Sequence, residues 1–100
     1  MEIIYEPELL AFMEKKNKNI IVVEEVSINN SDIEIMELHV HLISEKIADE
    51  FKKKKRYRTV PTEHGEVLFP PFKLKISDTV TFGLKSFLGI KSLSYKGIKA

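Results

Sequence analysis

Apolar residues at Leu9, Leu10, Phe12 and Met13 share one stripe at helical spacing, so the segment Pro7–Lys16 predicts a helix. Proline is tolerated at the first helical position, where its missing N–H would have no partner. Glu6 and Glu8 lie at the positive end of the helix dipole, and Lys15, Lys16 and Lys18 at the negative end. Asn17 or Asn19 supplies a left-handed exit. The β-branched run Ile20–Val26 then predicts a strand, and Ser27–Asp32 a turn. Ile33–Ser44 predicts a second strand. Within it Ile33 and Ile35 alternate in one phase, and Leu38, Val40 and Leu42 in the other, so a bulge is expected near Met36.

Beyond that strand the pattern loosens. Ser44–Lys55 is ambiguous: Ser44 could cap a short helix carrying Ile47, Ala48 and Phe51 on one side. Tyr57–Val60 reads as extended ahead of Pro61, Thr62–Gly65 as a turn, and Val67–Phe69 as a strand stopped by Pro70 and Pro71. Phe72, Leu74 and Ile76 alternate with lysines in a strand or an extended loop. Ser77–Asp78 reads as a turn, Val80–Leu84 as a strand, Ser86–Gly89 as a short connection, and Ile90–Lys96 as a last strand ended by Gly97. One helix followed by mostly short strands predicts an α+β fold, a small β-rich sandwich with an N-terminal helix.

Composition narrows the picture. A chain of 100 residues, 43% apolar and 31% charged, fits a single domain spanning 1–100. No run reaches the ~18 apolar residues of a membrane span, so no membrane partner is expected. The start Met1–Glu6 lacks a basic and apolar signal, which makes the cytoplasm the expected location. There is no cysteine, which excludes disulfides, thiol catalysis and thiolate ligation by this chain alone. Residues 1–51 carry 4 Lys/Arg against 12 Asp/Glu, and residues 52–100 carry 12 against 3. Interleaving of the two halves in one domain is expected to mix these charges.

The helix Pro7–Lys16, the strand Asn19–Val26 and the ending Leu84-Lys85-Ser86-Phe87-Leu88-Gly89-Ile90-Lys91-Ser92-Leu93-Ser94-Tyr95-Lys96-Gly97 resemble small members of the HesB-like superfamily. That superfamily includes the A-type iron–sulfur carriers and short proteins with a vicinal cysteine or selenocysteine pair. The resemblance covers the first 26 residues and the last 20, and implies a compact β-rich fold with a thiolate site. The thiolates would come from the loop after the second strand and, in the carriers, from the C-terminus. Ser27–Asp32 and Tyr95–Ala100 have no cysteine, so no functional residue carries over and no cofactor is expected.

Three candidate chemistries remain. His39 and His41 share one face of a strand with Glu37, a ligand set suited to zinc or non-haem iron, although three ligands on one strand are splayed. The opposite phase places Leu38, Val40 and Leu42 inward, which leaves the histidines on the solvated face. The run Lys52, Lys53, Lys54, Lys55, Arg56, Tyr57, Arg58 could meet nucleic-acid phosphates, with Tyr57 stacking on a base. The sequence holds no Gly-rich phosphate loop, nucleophile elbow or helical His-Glu-x-x-His, which argues against an enzyme. The leading expectation is a binding module that holds a protein partner or its own copy through an exposed sheet edge. A nucleic-acid-associated module is the second expectation, and a metal-binding protein the third.

Overall fold

A computed structural model describes residues 1–30 and 33–99. In chain order the elements are β1 (Glu2–Tyr5), α1 (Pro7–Lys16), β2 (Ile20–Asn30), β3 (Ile33–Ile43), α2 (Glu45–Lys54), β4 (Arg58–Thr62), β5 (Gly65–Phe69), β6 (Lys75–Phe87) and β7 (Ile90–Lys99). The strands form a three-stranded sheet ordered β1-β6-β7 and a four-stranded sheet ordered β3-β2-β5-β4. Pairing is antiparallel except for β1 with β6 and β2 with β5. This is the expected α+β, β-rich architecture with an N-terminal helix. Four of the strands run to ten residues or more, longer than the short strands expected.

Strand alternation builds the core. Ile21 and Val23 of β2, Val40 of β3, and Val67 and Phe69 of β5 point at the other sheet. There they meet Tyr5, Val80, Phe82, Leu93 and Ile98, and Leu9 and Met13 of α1 close the side. The opposite phase of the four-stranded sheet, Ile20, Val22, Ile43 and Leu68, packs under Ala48 and Phe51 of α2 and Tyr57. That sheet is therefore covered on both faces where β5 pairs with it. The helix ends follow their local chemistry. Asn17 exits α1 at φ 54, with its N–H donating to the Glu14 carbonyl at 3.1 Å. Ser44 Oγ accepts from the Ile47 N–H at 3.4 Å and caps α2.

Several sequence expectations change. β1 has no counterpart in the sequence reading; only Tyr5 of its four residues is buried, so its apolar signal is faint. β2 does not stop at Val26 but runs on through Ser27–Asn30; Ser31 and Asp32, the rest of the expected turn, lie outside the described residues. No bulge occurs near Met36: β2 and β3 stay in register from Ile20↔Ile43 to Asn30↔Ile33. The phase change reflects surroundings instead. Leu38, Val40 and Leu42 face the second sheet, whereas Ile33 and Ile35 lie where the hairpin has left the sandwich. Ser77–Asp78 is not a turn; β6 passes through it, and the register shift lies between Ile76 and Thr81. Gly97 does not end β7. It sits at φ +92 inside the strand, where a Cβ would collide with the Thr79 carbonyl.

Candidate functional site

The register separates the two long hairpins. β1 lies beside β6 from Glu2↔Thr79 to Tyr5↔Phe82, and β7 runs back from Ile90 to Lys99. The far end of the β2–β3 hairpin leaves the molecule near the Ile98 end of β7, and the turn of the β6–β7 hairpin leaves at the opposite end. β5 pairs with β2 only from Ile20 to Val22. Beyond Val22 the β2–β3 hairpin is a two-stranded arm, and β3 is the outer strand of its sheet.

The arm bears an apolar surface that the sequence reading does not single out. Ile28 and Ile35 are cross-strand partners on the side where α2 lies, and both are exposed, as is Ile33. On the other side Met36 is exposed and Leu38 half-buried. With Glu37 they line a groove of about 440 Å³ whose far wall is Tyr95, Ile98 and Lys99 of β7. The groove is the seam where the edges of the two sheets approach without a β3–β7 ladder among the described residues. Charge is segregated as well. Between Ile20 and Ile43 the chain carries Glu24, Glu25, Asp32, Glu34 and Glu37 and no Lys or Arg. Between Lys75 and Lys99 it carries Lys75, Lys85, Lys91, Lys96 and Lys99 against Asp78. The expected mixing of the halves is thus incomplete. The signal is present in the sequence: a β-branched run without a cation, interrupted mainly by Ser, Asn and acids.

The histidine pair sits as the strand phase predicts. His39 and His41 are on the side of β3 away from the inter-sheet core, with ring centroids 6.0 Å apart and nearly perpendicular. His39 Nε2 lies 3.0 Å from Glu37 Oε2, and His39 is also opposite Glu24 in the ladder. Among the described residues no group of three His, Asp or Glu side chains is arranged to hold a metal ion. Alternation spreads the three along the strand, as their spacing implies.

The basic run is divided by the fold. Lys52 Nζ pairs with Glu66 at 3.3 Å, and Lys55 Nζ lies 3.9 Å from Glu24 and over the Phe51 ring. Arg56 adopts φ 56, which lets the Tyr57 N–H return to the Phe51 carbonyl at 3.0 Å. Tyr57 is thereby folded under α2, edge-to-face with Phe51 at 4.8 Å, and its hydroxyl accepts from the Glu25 N–H at 3.4 Å. Burial raises its phenol pKa; the Glu25 N–H opposes the shift, and the Glu24 and Glu25 carboxylates add to it. Tyr57 is thus buried, whereas the expected stacking of a base would need its ring at the surface. Lys53, Lys54, Arg56 and Arg58 remain exposed.

The fold defines the class: a two-sheet α+β sandwich with a long acidic hairpin arm. Neither a protein-family model, nor a curated protein, nor a solved structure matches the chain.

Proposed function

We propose that the protein is a non-catalytic binding module that captures an extended, basic segment of a protein partner by adding it as a strand to the edge of β3. The observation that carries this reading is the seam: the outer edge of β3, with no ladder partner among the described residues, opens onto a groove lined by Met36, Leu38, Tyr95 and Ile98. Strand addition draws affinity from main-chain hydrogen bonds and specificity from pockets that take alternate side chains. The acidic residues along the arm, Glu24, Glu25, Glu34 and Glu37, outnumber Lys99 on the groove's far wall and set the sign of the partner, and they disfavour a second identical arm. The HesB-like resemblance belongs with this proposal as a scaffold without thiolates: the segment where that superfamily would keep cysteines corresponds to Ser27–Asp32, of which Ser27–Asn30 form the distal part of β2.

The test uses fluorescence anisotropy with two synthetic peptides, alternating valine with lysine or valine with glutamate. The lysine peptide is expected to bind, with affinity that falls as salt rises. Met36→Asp, at an exposed position, is expected to weaken it ~10-fold or more while leaving the fold intact. Equal binding of both peptides, or none, overturns the reading. Concentration-dependent self-association abolished by Met36→Asp would instead make a second copy the occupant.

A further inference from the structure

The opposite end of the molecule carries a feature that the strand-capture reading does not use. The β6–β7 hairpin closes at Phe87↔Ile90 through Leu88 and Gly89. Both central residues have positive φ, 53 for Leu88 and 81 for Gly89, as in a type I′ turn. Gly89 suits that geometry. Leu88 does not, because residues that accept a left-handed backbone are chiefly Gly, Asn and Asp. Local stability would favour asparagine in place of Leu88, and solubility would favour any polar residue. Yet the tip presents Phe87, Leu88 and Ile90, which are 77%, 86% and 72% exposed and are the most exposed large apolar side chains among the described residues. Scattered exposed apolar residues need no explanation, but three at one convex turn, one of them in a strained conformation, do.

The surroundings indicate what the tip meets. Lys85 and Lys91 flank it on β6 and β7. Lys15 of α1 joins them around a small cleft whose one carboxylate is Glu8. The acidic arm lies toward the Ile98 end of β7, where Lys75 and Lys99 offset part of its charge, whereas at the tip lysines outnumber carboxylates, which would turn this end toward a negative surface. A convex apolar tip ringed by lysines fits a soft interface, where apolar side chains enter the acyl boundary and lysines reach the headgroups. We propose that the β6–β7 tip is a docking site for an anionic lipid surface, with Phe87, Leu88 and Ile90 inserted and Lys15, Lys85 and Lys91 on the headgroups. No helix among the described residues is long and apolar enough to cross a membrane, and peripheral attachment of this kind requires none.

The experiment is co-sedimentation of the whole chain with vesicles of pure phosphatidylcholine, and of equal parts phosphatidylcholine and phosphatidylserine. Binding is expected to the mixed vesicles and to weaken with salt. Leu88→Asn is the decisive variant, because it gives the turn a residue it prefers. It is expected to melt at or above the wild-type temperature and to bind ~10-fold more weakly or worse. Lys85→Glu with Lys91→Glu is expected to abolish binding. The chain has no tryptophan, so Phe87→Trp supplies a reporter whose emission should shift to the blue on the mixed vesicles only. Failure of the wild type to bind, equal binding to both vesicles, or unchanged binding by Leu88→Asn each overturns the proposal. So does a dimer, present without lipid, that Leu88→Asn dissociates in place of any vesicle binding, since the tip would then be an interface between copies.

Discussion

Single residues in this protein show how far side-chain identity is subordinate to backbone position. Gly97 reads from the sequence as the end of a strand, but the strand continues through it, because the register shift in β6 brings the Thr79 carbonyl where a Cβ would stand. Gly97→Ala would meet both that collision and an unfavourable φ of +92, and should cost ~2 kcal/mol or more, read as a lower midpoint in urea. Phe82, fully buried between the sheets, should cost ~3–5 kcal/mol when cut to alanine. Tyr5 and Tyr57 give a prediction in pH. Burial raises both phenol pKa values, with the Thr62 hydrogen bond opposing the shift at Tyr5. A raised folded-state pKa means that their contribution to stability is fully present below the unfolded value of ~10 and is lost as pH rises through the folded one. Alkaline unfolding should therefore begin above that unfolded value, and Tyr57→Phe should flatten the loss; an unchanged slope in the variant would contradict it.

At the scale of elements, legibility follows what each segment is packed against. α1 is readable because proline, dipole charges and an apolar stripe agree; α2 is ambiguous in sequence and is settled by packing, where Ser44 caps a helix whose inward residues Ala48 and Phe51 are both buried. The arm misleads because its distal half has no core to obey. There β-branched residues alternate without one face being buried, and a phase change that looks like a bulge is only the boundary of the sandwich. Likewise Ser77–Asp78 has turn composition but sits in a strand irregularity, which composition alone does not distinguish. The basic run is legible as charge. Which of its cations meet Glu66 and Glu24 depends on how α2 packs, and the burial of Tyr57 follows the left-handed Arg56; no local pattern announces either. The same reasoning predicts uneven protection. Amides of Ser27–Asn30 and Ile33–Met36, outside the sandwich, should exchange with solvent far faster than those of Ile20–Val23, within a strand buried on both faces. Uniform protection along β2 would mean that the arm is covered in solution.

For the whole molecule, the two parallel pairings decide how the sandwich is held. Every other neighbouring pair of strands is an antiparallel one. β1 joins β6 across most of the chain, delivers Tyr5 into the core, and places the Glu6 N–H 2.9 Å from the Phe82 carbonyl just before α1 begins. Its four residues thus fix the first helix against the sheet and cover the outer edge of β6, although the strand itself is barely visible in the sequence. A domain of this size is held by a net free energy of only ~5–15 kcal/mol. Loss of Tyr5, of a parallel ladder and of the anchor for Leu9 and Met13 should remove most of it. Deletion of residues 1–5 is therefore expected to abolish the cooperative thermal transition followed by circular dichroism, and to expose the β6 edge to aggregation. A truncated chain that still melted cooperatively near the wild-type temperature would show that α1 docks without its strand. The sandwich would then be set by the β6–β7 and β2–β3 hairpins alone, two elements of opposite net charge.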